Sequence, residues 1–235
     1  MPMLPVVILA GGLATRLRPI TEKIPKALVE INGEPFLAHQ LRLLRRNGIR
    51  QVVMSVAYKG EMIQEFAGDG SGYGLQIEYV FDGPTYLGTG GAIRNALRYL
   101  GDSFLTLYGD SYLPCDFAAV QAAFMASGQQ ALMTVYQNDG LFDTSNVEFA
   151  EGRIVRYDKR ERTTAMRHID YGLGVFQAAA FAPYPAGETL DLATVFQDML
   201  RVGQLAAFEV SERFYEIGTP EGIRETEEYI EREAK

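Results

Sequence analysis

Leu4-Pro5-Val6-Val7-Ile8-Leu9-Ala10-Gly11-Gly12-Leu13-Ala14-Thr15-Arg16-Leu17 begins as a continuous apolar run and breaks at two glycines. Pro25-Lys26-Ala27-Leu28 follows a few residues later. An apolar run of this length bounded by glycine predicts a strand buried on both faces of a parallel sheet. Glycines just past its carboxyl end allow a tight turn that aims several backbone N–H groups at one anion. Arg16 and Lys26 flank that turn with positive charge. The stretch is suited to holding a polyphosphate, with Ala10, Gly11, Gly12 and Thr15 as the candidate contacts of the loop.

Two other phosphate loops are excluded by residue type. No Gly-Lys-Ser/Thr closes the turn, and no third glycine completes a dinucleotide fingerprint.

Working outward, helical spacing is expected over Pro35 to Asn47, with Gly48 as its stop. Arg50 to Tyr58, Leu75 to Phe81, Ser103 to Tyr108 and Gln130 to Tyr136 read as strands. Between them Glu61 to Ala67, Gly88 to Leu100 and the Asp116-capped stretch to Ser127 read as helices. This alternation predicts an α/β fold with a doubly wound, mainly parallel sheet. In such sheets ligands gather beyond the carboxyl ends of the strands, where Gly11, Asp82 and Asp110 all fall.

The second half differs. Ser145 to Phe149 and Arg153 to Tyr157 predict a β-hairpin turning at Glu151-Gly152. His168 to Phe176, Leu205 to Val210 and Phe214 to Ile217 read as strands; Leu190 to Arg201 and Thr219 to Glu233 read as helices. One domain is expected over 1–235. The alternating half would span 1–137, and a small hairpin lobe with the terminal helix 138–235.

The 235 residues carry a net charge of −8, which argues against nucleic acid and against an anionic membrane surface as partners. The single cysteine, Cys115, fits a reducing compartment, and the apolar start is too short for a signal peptide or span. A cytoplasmic enzyme, monomeric or homodimeric, is the expectation. His39 and His168 share no metal-ligand spacing, and no nucleophile motif is present.

The opening motif resembles the signature of the sugar-1-phosphate nucleotidyltransferases, G-G-x-G-T-R-L followed by P-K. Gly11, Gly12, Thr15, Arg16, Leu17, Pro25 and Lys26 match it. Ala14 departs, standing where the pattern carries glycine; were φ positive there, alanine would cost about 1 kcal/mol. The resemblance runs from Val6 to Glu221 and is strongest to the heptose- and mannose-1-phosphate guanylyltransferases. It implies a Rossmann-like fold of glycosyltransferase-A type and the condensation of an NTP with a sugar 1-phosphate, releasing pyrophosphate. Arg16 and Lys26 would carry catalysis.

The remaining roles follow from the same resemblance. Leu87-Gly88-Thr89-Gly90-Gly91-Ala92 resembles the guanylyl branch's L-G-T-G-G-A, placing Gly88 and Thr89 at the nucleotide. Asp82 falls at the base-reading position. Its carboxylate only accepts, and guanine alone offers N1–H and a 2-amino group side by side, so GTP is expected ahead of CTP, UTP and dTTP. Gly109-Asp110 occupies the metal position, and Phe214-Tyr215-Glu216-Ile217-Gly218-Thr219-Pro220 resembles the D-I-G-T-P segment with glutamate for aspartate. Asp110 and Glu216 would hold Mg²⁺ with help from phosphate oxygens. Asp158-Lys159 resembles the sugar-phosphate E-K pair, and Asp170-Tyr171-Gly172 lies where the family reads N-A-G. Gly109, Asp158, Lys159, Asp170 and Gly172 are therefore the candidate sugar-phosphate residues. A noncatalytic NDP-sugar-binding homologue is disfavoured by the retained Arg16 and Lys26. A sugar-transferring enzyme is disfavoured by Asp110-Ser111-Tyr112, which lacks Asp-x-Asp.

Overall fold

Val6, Val7 and Ile8 are all fully buried, as an apolar run without polar alternation demands. The computed structural model describes residues 1–12, 17, 20–83 and 85–233. In chain order the first half runs β1 (Val6–Leu9), α1 (Ile20–Lys23), β2 (Glu30–Ile31), β3 (Glu34–Pro35), α2 (Phe36–Arg46) and β4 (Gln51–Val56). It continues through α3 (Gly60–Ala67), β5 (Gln76–Phe81), α4 (Gly88–Ala96), β6 (Ser103–Tyr108), β7 (Ser111–Tyr112), α5 (Phe117–Ser127) and β8 (Ala131–Gln137). The second half adds β9 (Val147–Ala150), β10 (Arg153–Tyr157), β11 (His168–Gln177), α6 (Leu192–Arg201), β12 (Leu205–Val210), β13 (Tyr215–Glu216) and α7 (Pro220–Glu233).

Strands β5, β4, β1 and β6 lie side by side and parallel, with β1 in the middle. Beyond β6, β11 runs antiparallel, then β8 antiparallel to it and β12 parallel to β8. Only β11 opposes the common direction across these seven strands, so the mainly parallel α/β sheet expected from the alternation is what forms. Side chains of β1 leave on alternate faces. Val6 and Ile8 join the core formed with α2 and α5, and Val7 joins the one formed with α4 and α6. Asp116 caps α5 as expected, accepting from the Ala118 and Ala119 N–H groups at 2.9 and 3.0 Å.

The hairpin β9–β10 is joined to the main sheet through Val147 opposite His168. It extends the sheet next to β11, with β10 backed by α6. Four small pieces escape the periodicity: the β2–β3 hairpin, β7, α1, and the 3-10 turns such as Lys26–Leu28, whereas β13 falls within the strand expected over Phe214 to Ile217. Each of the four is built of elements two to four residues long, too short for any period to show. The ribbon β7–β13 nevertheless matters, because it sets Tyr112 opposite Tyr215 and Ser111 opposite Glu216. Among the described residues no helix is long and apolar enough to cross a membrane.

Candidate active site

A cleft of about 320 Å³ opens beyond the carboxyl ends of β1, β4, β5 and β6. Its floor is the turn after β1, at Ala10, Gly11 and Gly12. Asp82, just past β5, and Gly88 and Thr89, opening α4, form one wall. Lys26, Gly109 and Asp110 form the other. Nine candidate residues scattered over a hundred positions are thus brought into one cleft, because parallel strands deliver their carboxyl ends to a single edge. Thr15 and Arg16 lie outside the described residues.

At the Asp82 end, Ser55 Oγ at the end of β4 donates to Asp82 Oδ1 at 3.3 Å. Burial raises the pKa of Asp82, and the Ser55 hydrogen bond opposes that rise. Tyr86 stands beside it, 57% exposed. Burial raises the Tyr86 pKa, and the carboxylates of Asp191 and Asp82 add to this, so its hydroxyl stays a neutral donor.

The glycines opening α4 also pack against the protein's own chain. A Cβ at Gly88, where φ is +71°, would lie 2.6 Å from the Leu190 carbonyl oxygen. One at Gly91 would lie 2.7 Å from the Glu188 oxygen. These positions make room for the protein's own 188–191 segment, whose Leu190 carbonyl accepts from the Gly90 N–H at 2.8 Å. The Thr89 hydroxyl is likewise engaged, donating to Asp191 and accepting from the Leu192 N–H at 2.9 Å.

At the opposite end, Lys26 Nζ sits 2.5 Å from Asp110 Oδ2. The Asp110 carbonyl accepts from the Ile217 N–H at 3.0 Å, which brings Glu216 to the neighbouring strand of the β7–β13 ribbon. Two carboxylates on adjacent backbones, one of them a third exposed to the cleft, suit a hard cation that completes its shell with water and phosphate oxygens. Among the described residues no group of three acidic, histidine or cysteine side chains could hold a metal alone. Gly109 packs where a Cβ would meet Ala10 at 3.0 Å, so the ends of β1 and β6 close tightly under the cleft.

The sugar-phosphate candidates divide. Lys159 Nζ lies 5.7 Å from the centre of the Tyr108 ring, and Tyr108 lines the cleft. Burial pulls the Lys159 pKa down, but Tyr108, Asp170 and Asp191 together hold it above the ordinary lysine value. The Asp170 carboxylate, 6% exposed, lies 3.9 Å from Lys159 Nζ and accepts from Tyr157 and from the Gly172 N–H. Gly172, at φ +100°, sits in the break of register between β11 and β8 that directs Asp170 this way. Asp158 is not brought in. Its carboxylate accepts from the Arg160 and Glu161 N–H groups at 2.8 and 2.9 Å, closing its own loop. Sequence reading also passed over Ser55, Tyr86, Tyr108 and Asp191. Only the position of Tyr108 just before Gly109-Asp110 could have flagged one of them.

The model of the nucleotidyl transferase family matches residues 5–233. The chain belongs to that family. It is 29% identical to a D-glycero-alpha-D-manno-heptose 1-phosphate guanylyltransferase of Campylobacter jejuni, over 92% of this chain and 95% of that one. It is 27% identical to an N-acetylmuramate alpha-1-phosphate uridylyltransferase of Neisseria meningitidis, over 94% and 96%. Among solved structures, HddC from Yersinia pseudotuberculosis, crystallised with GMP-PN, superposes with a TM-score of 0.81 at 25% identity. That match covers 97% of this chain and all of the other.

Proposed function

We propose that this sugar-1-phosphate nucleotidyltransferase uses GTP and a heptose- or mannose-type sugar 1-phosphate, releasing pyrophosphate. The observation that carries the nucleotide choice is the Asp82 carboxylate, partly buried at one end of the cleft and steadied by Ser55. Ionised, it presents two acceptors to the two adjacent donors of guanine. Tyr86 adds a flat ring on the same side for the base to stack on, worth about 1–3 kcal/mol whatever the base.

The phosphates then extend over Gly11 and Gly12 towards Lys26, and Arg16 meets the charge that grows on the leaving pyrophosphate. Lys159, kept cationic between Tyr108 and Asp170, holds the sugar phosphate so that its oxygen faces the α-phosphorus in line. Lys26 moves from Asp110 to the substrate phosphates. A Mg²⁺ ion held by Asp110 and Glu216 would supply charge neutralisation and a template for both phosphates. Phosphoryl chemistry of this kind needs position and charge more than proton transfer, which fits a cleft without histidine.

UTP is the second reading, favoured by the Neisseria relative. Pyrophosphate release with Mg²⁺ over GTP, UTP, CTP, dTTP and ATP, each against several sugar 1-phosphates, tests both. Release that requires both substrates supports transfer, and best activity with ATP refutes the Asp82 argument.

A further inference from the structure

A second cavity, of about 460 Å³, lies away from the cleft, between the outer face of α2, the 3-10 turn Ser71–Tyr73 and the end of α7. Arg42, Arg45 and Arg46 all line it. Three arginines within five positions converge there in a chain whose net charge is −8. Two carboxylates share the cavity, but Glu34 is already taken by both terminal nitrogens of Arg42, leaving Glu233 against two further arginines. The Arg45 guanidinium makes no ion pair with a described residue. It has room to lie against the turn because Gly74 has no side chain; a Cβ there would meet its Nε at 2.8 Å. Among the described residues Arg46 donates to a neutral partner, the Tyr112 hydroxyl, at 2.6 Å.

We propose that this cavity is a regulatory site for a diphosphate group, bound by Arg45 and Arg46 and felt at the active site through Tyr112. Planar guanidinium forks match phosphate oxygens two at a time, and two forks lining one cavity suit an anion rich in phosphate oxygens. The choice of a diphosphate rests on the proposed reaction, of which one product is pyrophosphate and the other contains a nucleoside diphosphate. The route is short. Tyr112 is buried in β7, two residues after Asp110, and pairs with Tyr215 in the ribbon that also pairs Ser111 with Glu216. Drawing Arg46 from the Tyr112 hydroxyl to a phosphate removes a polar anchor of that ribbon. The ribbon's inner end carries both metal-position carboxylates. Binding at one site then changes affinity at the other, reciprocally.

The test begins with calorimetric titration of metal-free protein with pyrophosphate and, separately, with GDP. Wild type is expected to take up two equivalents, and the exposed-face double variant R45Q/R46Q one, the lost site weakening by about tenfold or more. Pyrophosphate alone filling the second site identifies the free diphosphate as the ligand; GDP alone filling it identifies the nucleotide. One equivalent in both proteins overturns the proposal. Y112F keeps both equivalents but is expected to lose the part of pyrophosphate inhibition that excess NTP does not relieve. Inhibition of Y112F identical to wild type overturns the coupling. Loss of the second equivalent in R45Q/R46Q without any pyrophosphate-releasing reaction would mean that the proposed function had failed while the anion site stood.

Discussion

Replacing Asp82 with asparagine tests the nucleotide reading most directly. The change keeps the shape and leaves Ser55 a partner, since the asparagine carbonyl can still accept the bond now made to Oδ1 at 3.3 Å. What it removes is the charge and the second acceptor, because the amide nitrogen only donates. Guanine then keeps one contact and meets a donor at the other. A bidentate base contact is worth about 1–3 kcal/mol of discrimination, or about 5- to 150-fold in the ratio of kcat/KM values. The assay is pyrophosphate release with GTP and UTP in separate reactions at saturating sugar 1-phosphate. Asp82→Asn is expected to lower kcat/KM for GTP by that factor and to leave UTP within about threefold, because uracil's single N–H never used both oxygens. A GTP-to-UTP ratio equal to wild type, in folded protein, refutes the base-reading role.

Four further outcomes can be checked. The pKa of Asp82 is raised by burial and restrained by Ser55, so kcat/KM for GTP should fall on the acid side as the carboxylate takes up a proton. Ser55→Ala should move that fall to higher pH, as the rate profile from pH 4 to 8 will show. Because the folded-state pKa lies above the unfolded one, the folded form holds this proton more tightly. Asp82 therefore costs stability as pH rises through that window, and Asp82→Asn should melt higher than wild type at pH 7 but not at pH 3. Asp191→Ala removes the cap that the Ala193 N–H donates to at 3.0 Å and the partner of Thr89, costing about 1–2 kcal/mol and several degrees of Tm by calorimetry. Arg16→Ala should act on kcat far more than on KM, since the interaction grows with charge on the leaving group; an unchanged kcat in steady-state assays rejects the role.

The long elements were legible from residue pattern alone. The apolar run of β1, the mainly apolar strands β4 and β6 and their alternation with helices such as α2 point to a parallel sheet, and such a sheet already implies that Gly11, Asp82 and Asp110 share an edge. The chemistry of Asp82 was also legible, because an acceptor-only side chain follows from its residue type. Tertiary structure alone decided how the partners fall. Lys26 meets Asp110 across 84 positions, and Lys159 stands between Tyr108 and Asp170. Asp158, alike in type to its neighbours in the motif, turns back to satisfy N–H groups of its own loop. Gly88 lines the cleft, and the glycines opening α4 also leave room for Leu190 and Glu188, which no local pattern announces. Periodicity reports which face of an element is buried. It says nothing about which distant backbone or side chain arrives there, and for short polar segments that arrival sets the role.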